Sequence, residues 1–150
     1  MSEQLFFDDT PIVGWRAWVL AEDLEGPELR SVVYQHVWPA RNALSMECEP
    51  GGCLGARWPA QTHACGIHAF KERAGAARFP ATWESRRAEG AGVSTYVIGQ
   101  VSLWGHVIEH EHGFRGQFAY PYALCLPPGR RHLASPLARR YGVEVVVEAP

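Results

Sequence analysis

The chain has 150 residues, of which 47% are hydrophobic and 20% charged, a composition typical of one globular domain and not of a disordered chain. Fourteen basic and sixteen acidic side chains give a formal net charge of -2, which does not favour non-specific nucleic-acid binding. The sequence shows no secretory signal and no apolar run long enough to span a membrane, so we expect a single cytoplasmic domain over residues 1–150 with no membrane partner.

The first third of the chain has the composition of a β-hairpin. Residues 12–20 and 29–38 are rich in β-branched and aromatic side chains, and Gly26-Pro27 lies between them. Residues 45–64 have no periodicity, which is unusual inside a compact domain unless a bound group orders them. Residues 65–77 suggest a short helix that ends at Phe79-Pro80, and residues 81–92 a surface helix or loop.

The second half contains the clearest strand pattern. Residues 95–109 alternate between two faces, with Gly99 and Gly105 placed to produce bulges, and residues 114–126 return as the partner strand. A helix over residues 135–141, with Ser135 as a possible N-cap and Gly142 in the left-handed conformation that ends it, precedes a last strand over residues 143–148. These elements predict an α+β fold with a strongly bent antiparallel sheet or open β-barrel, two or three short helices and a metal-pinned loop.

Four residues between positions 48 and 65 have the chemistry of a metal site. Cys48 and Cys53 flank a Pro-Gly-Gly turn, and His63 and Cys65 follow. Three thiolates and one imidazole are a typical ligand set for structural zinc, so we predict zinc in a loop at about 45–68. His68 is an alternative to His63 as the nitrogen ligand. The simpler interpretation is that Cys48 and Cys53 are exposed thiols and Cys65 is a small buried side chain.

Two other groups of polar residues are candidates for function. Glu109-His110-Glu111-His112 could bind a metal or shuttle protons at the tip of a hairpin, although hairpin tips are polar simply because they are solvated. Arg86-Arg87, Arg130-Arg131 and Arg139-Arg140 could converge on a phosphate-bearing ligand, although separate basic pairs on a solvated surface are more common.

Two motifs resemble those of a family of small bacterial proteins of uncharacterised function. They are C-G-I-x-A at residues 65–69 and L-W-G-x-V-x-E-H-x-x-G-F-R at residues 103–115, and Ala119-Tyr120-Pro121 follows the second. The resemblance covers about the last two thirds of the chain. In that family the stretch before C-G-I also tends to carry Cys and His, which implies a metal site, and His63 stands where a Cys is common. The resemblance implies no activity.

Three functional hypotheses follow. The first is a zinc-stabilised binding or adaptor module that recognises an unknown protein or small-molecule ligand in a groove lined by Trp104, Arg115 and Tyr120. The second is a metalloenzyme in which one Cys or His is not a ligand and a coordination position stays open for solvent. The third is RNA or nucleotide binding by a curved-sheet barrel, which predicts salt-sensitive retention on heparin. Whether the protein is an enzyme stays open.

Overall fold

The computed structural model describes residues 4–6, 10–33, 36–45, 65–84 and 95–149. Within them the chain forms one eight-stranded sheet, two α-helices and a 3-10 helix, so the predicted α+β class is confirmed. The strands are β1 (Gln4–Phe6), β2 (Ile12–Asp23), β3 (Gly26–Ser31), β4 (Leu44–Ser45), β5 (Ile67–Phe70), β6 (Tyr96–Glu109), β7 (Gly113–Leu126) and β8 (Glu144–Val147). The helices are α1 (Arg73–Glu84), the 3-10 helix (Pro128–Leu133) and α2 (Ala134–Tyr141).

The longest strands, β6 and β7, pair as an antiparallel hairpin, as the alternation predicts. Bulges interrupt the register after Gln100 and again between Trp104 and Val107, close to the two glycines expected to produce them. At the second bulge Gly105 has a φ of +77°, a conformation that other residues rarely adopt. The inward side chains of β6 are fully buried, namely Val97, Val101 and Leu103.

The strand β5 pairs with both strands that flank β6. β6 lies between β2 and β7. On the far edge of β7, β5 pairs along its whole length, and Phe70 at its end also pairs with Trp15 of β2. The glycine at position 14 allows this close approach, since a Cβ there would lie 2.9 Å from the Ala69 Cβ.

The sheet is mixed, which corrects the expectation of a wholly antiparallel sheet. β8 pairs with β7 in parallel, from Ala123↔Glu144 to Leu126↔Val147. The 3-10 helix and α2 connect these two strands, and a crossover of this kind is what parallel neighbours require.

The predicted N-terminal hairpin is confirmed, but its second strand has different bounds. β3 begins at Gly26, where φ is +118°, and ends at Ser31. Trp38 follows as a separate extended segment whose N–H donates to the Leu29 carbonyl at 2.9 Å. The glycine turns the chain into β3 earlier than the composition of residues 29–38 suggests.

The helix predicted over residues 65–77 is wrong at both ends. Residues 67–70 form β5, because pairing with β7 outweighs the weak local preference of this segment. The observed helix α1 starts at Arg73 and continues through Pro80, where the sequence predicts an end. Burial of Ala76 and contact between the Phe79 and Phe70 rings, 5.8 Å apart, hold α1 on the sheet despite the proline.

The main core lies between the inner face of the sheet and α2. Its largest buried side chains are Trp18, Trp38, Tyr141, Leu29 and Ile67. The Tyr141 hydroxyl ties α2 to this core, since it accepts from the Leu29 N–H and donates to the Trp38 carbonyl, both at 2.8 Å. A smaller cluster lies between the outer face of the sheet and α1.

The sequence predicts the C-terminal end of α2 correctly but not its N-terminal end. Gly142 ends the helix in the left-handed conformation with φ of +70°, as predicted. The predicted cap at Ser135 is wrong, because the 3-10 helix leads directly into α2 and Leu133 takes the capping position. Neither α1 nor any other helix of the described segments has the length and apolarity needed to cross a membrane.

Candidate functional site

The predicted metal-binding loop leaves and rejoins the sheet at one edge. β4 pairs with β7 at Ser45↔Phe118, and β5 resumes the pairing at Ile67↔Gly116. The two stems therefore stand opposite positions two residues apart on β7, about 7 Å along a strand. Because β4 and β5 run in the same direction along the same edge, residues 46–66 are inserted into what would otherwise be one continuous edge strand.

Only one of the four predicted ligands lies in the described part of the chain. Cys65 is half-buried and lies two residues before β5, whereas Cys48, Cys53 and His63 lie outside the described residues. The alternative ligand His68 is exposed on β5, opposite Arg115 of β7. Among the described residues, no group of three or more His, Cys, Asp or Glu side chains is arranged to hold a metal ion.

A buried arginine connects Cys65 to the tip of the β6–β7 hairpin. Arg115 is 4% exposed, and alternation along β7 places it on the same face as the buried Ile108. Its Nη1 donates to the Cys65 carbonyl at 2.9 Å, and its Nε donates to His110 Nε2 at 2.8 Å. The contact fixes the Cys65 backbone and places a positive charge beside the predicted ligand.

The remaining polar residues of the hairpin tip are separated from one another. Glu109 forms an ion pair with Lys71 at 2.5 Å, whereas His110 accepts the hydrogen bond from Arg115. Glu111 and His112 are exposed in the turn, 3.9 Å apart. The predicted cluster is thus divided between an ion pair with Lys71, a half-buried hydrogen bond with Arg115 and a solvated turn.

The three residues of the predicted ligand groove contact different partners. Trp104 is half-buried, with its ring centre 6.2 Å from that of Phe118. The Tyr120 hydroxyl accepts from the Arg41 N–H at 2.7 Å and donates to the Tyr141 carbonyl at 2.6 Å. Arg115 donates to the Cys65 carbonyl and to His110. The polar groups of Arg115 and Tyr120 therefore form hydrogen bonds within the protein.

The basic pairs are likewise spread over the molecule. Arg140 binds Asp23 at 3.2 Å and the Gly26 and Pro27 carbonyls at 3.1 Å, so it holds α2 to the β2–β3 turn. Hydrogen bonding from Arg140, with weaker contributions from Glu28 and the Glu25 N–H, lowers the pKa of Asp23 to about 2. Arg130 donates to Thr95, and Arg86-Arg87 lies outside the described residues.

Arg16, the one basic residue of β2, was not predicted as a functional residue from the sequence. Alternation places it on the same face as Trp18 and Leu20, which belong to the apolar core. Its guanidinium lies over the Trp38 ring, 4.9 Å from the centre, and burial lowers its pKa to about 10. A charged residue on the apolar face of a strand was the signal that could have identified it.

Comparison of the chain with protein-family models, curated proteins and solved structures gives no match. The resemblance to the bacterial family stays a prediction. The function is therefore inferred from the residues and their contacts alone.

Proposed function

We propose that the protein is a zinc-stabilised binding module, in which Cys48, Cys53, His63 and Cys65 hold a structural zinc ion. The observation that carries this proposal is the stem of the loop, whose two ends pair with β7 residues two positions apart, Phe118 and Gly116. A metal bound within the inserted residues would order a segment that has too few apolar side chains to order itself, with a free energy on the order of 10 kcal/mol.

The charge of Arg115 supports the proposed ligand set. Zinc bound by three thiolates and one imidazole carries one net negative charge, which is costly to bury without a compensating cation. Arg115 supplies that cation beside Cys65, with the Nη1 atom 2.9 Å from the Cys65 carbonyl oxygen. The same hydrogen bond fixes the backbone that carries the ligand, which reduces the entropy lost when the metal binds.

The pairings of β5 also support a barrel-like shape for the module. We propose that β2, β6, β7 and the bridging β5 form an open barrel, in line with the pairing of β5 to both flanking strands, and that the module binds a small-molecule or protein ligand. Thiolate ligands require a reducing compartment, so we place the protein in the cytoplasm.

Metal analysis of the full chain tests the proposal. Protein purified under reducing conditions is expected to contain about one zinc ion per chain, as measured by inductively coupled plasma mass spectrometry. Cys65→Ser should lose most of the metal. Cys125→Ser is the matched control, because Cys125 lies in β7 and pairs with Ile98, away from the loop stem, and should keep the metal.

Two outcomes would overturn the proposal. One is wild-type protein without zinc or iron that melts at the same temperature with and without a chelator. The other is Cys65→Ser protein that retains as much zinc as the wild type.

A further inference from the structure

Arg16 enters the inner face of the sheet, where its neighbours are tryptophans. Its Nη1 donates to the His68 carbonyl at 2.6 Å and its Nη2 donates to the Ser31 hydroxyl at 3.1 Å. The Trp38 ring lies beneath the guanidinium, and the Trp18 ring packs edge-on against Trp38 with centres 5.4 Å apart. Arg16, Trp18 and Ser31 therefore all contact one ring, that of Trp38.

This cluster contains more hydrogen-bond donors than acceptors. Arg16 Nε and Trp18 Nε1 are both buried, and neither makes a hydrogen bond with any of the described residues. The Ser31 oxygen already accepts from Arg16 Nη2 and from Trp38 Nε1, the latter at 3.0 Å. The Ser31 hydroxyl proton is thus left to donate, and three donors around Trp38 call for an acceptor.

The positive charge of Arg16 also has no counter-ion in the described part of the chain. No carboxylate there lies within 4.0 Å of its guanidinium. The nearest buried acid along β3 is Glu28, which is already bound to Arg30 at 2.8 Å and lies 3.7 Å from Arg140. Burial without a charged partner accounts for the lowered pKa of Arg16.

We propose that Arg16, Trp18 and Ser31 form a binding site for an oxyanion group, the carboxylate or phosphate of a small ligand. Such a group supplies oxygen acceptors for the three donors and the negative charge that balances the Arg16 guanidinium. Stacking on Trp38 fixes the plane of the guanidinium. The side of the guanidinium that carries Nε is therefore already oriented to donate hydrogen bonds to two oxygens of one oxyanion. The hydrogen bond from Nη1 to the His68 carbonyl is solvent-exposed, so this end of the guanidinium lies at the protein surface.

This site does not depend on the metal proposal. None of its three donors is a predicted zinc ligand, and none lies in the inserted loop. Anion binding by a protein without zinc, or zinc without anion binding, would each refute one proposal and leave the other standing.

The test is a titration followed by the indole N–H signals in nitrogen–proton NMR spectra of the full chain. Sodium acetate and inorganic phosphate are the two probes, and sodium chloride at matched ionic strength is the reference. The Trp18 indole signal of the wild type should shift in a saturable way with at least one oxyanion and not with chloride. Saturation by acetate identifies a carboxylate site, and saturation by phosphate alone identifies a phosphate site.

Variants decide which residue binds. Arg16→Met should weaken binding at least tenfold, and Arg16→Lys, which keeps the charge but loses the planar fork, should weaken it less. Arg78→Met is the matched control, because it removes the same charge from an exposed position in α1 and should bind like the wild type. Should Arg16→Met not fold, Arg16→Lys decides the question by itself. Shifts no larger than those with chloride, or Arg16 variants that bind as tightly as the wild type, would overturn the proposal.

Discussion

Three arginine side chains of this protein are partly or fully removed from water, and each has different partners for its charge. Arg140 is matched by Asp23 and Glu25 at the β2–β3 turn, and Arg115 is held by His110 and the Cys65 carbonyl. Arg16 has only neutral acceptors and an aromatic ring. A charge buried without compensation costs stability, and proteins keep such residues mainly at sites of function.

Replacement of Arg16 should therefore cost little or no stability. In buffer free of oxyanions, we expect the free energy of unfolding of Arg16→Met to equal or exceed that of the wild type, because a desolvated charge is removed and the methionine fits the apolar face. Urea denaturation measures the difference. A loss of more than about 2 kcal/mol would show that Arg16 stabilises the fold and is not kept for binding.

Acid should act on the protein through Asp23. Its pKa is lowered from 3.8 to about 2 in the folded chain, so the pairing contributes stability above pH 3.8 that is lost as the pH falls through about 2. Asp23→Asn should be less stable at neutral pH, and its stability should change less over this acidic window. Thermal melts across the window check this, with the exposed Glu22→Gln as control; equal slopes for Asp23→Asn and wild type would contradict it.

At the scale of elements, local sequence patterns predicted those strands and turns whose structure depends on residues close together in the chain. The β6–β7 hairpin, its bulges, the strand β8 and the glycine that ends α2 all follow from local patterns. The strand β5 could not be predicted, because residues 67–70 extend only by pairing with β7, and α1 continues past Pro80 only because its face is buried on the sheet. Both depend on contacts that are distant in sequence.

The bulge at Gly105 should tolerate no side chain. A Cβ there would lie 2.6 Å from Gln117 Oε1 and 2.8 Å from Phe118 Cδ2, and φ is +77°. We expect Gly105→Ala to lower the free energy of unfolding by more than about 1 kcal/mol. Gly129→Ala, where a Cβ meets open space, should change it little. Equal denaturation midpoints for the two variants would argue against a required bulge.

The junction of α2 with the sheet should depend on one hydroxyl group. Tyr141→Phe removes the acceptor of the buried Leu29 N–H and the donor to the Trp38 carbonyl. We expect a loss of about 1 to 3 kcal/mol in the free energy of unfolding. Tyr122→Phe is the control, because Tyr122 is 56% exposed and should behave like the wild type. A Tyr141→Phe variant as stable as this control would refute the assigned role.

At the scale of the whole molecule, the edge of β7 organises both proposals. β4 and β5 occupy this edge on either side of the inserted residues 46–66, and β5 then reaches β2, whose inner face carries Arg16. The ligand set was predicted from residue types alone, whereas Arg16 was found only through its neighbours. Residue chemistry is visible in sequence, but an uncompensated charge is recognised only when its surroundings are known.

X-ray absorption at the zinc edge of the purified full chain tests the central claim most directly. The account predicts three sulfur atoms at about 2.3 Å and one nitrogen at about 2.0 Å from the zinc. A shell with fewer than three sulfurs and a bound solvent oxygen would contradict a closed structural site and favour the metalloenzyme hypothesis.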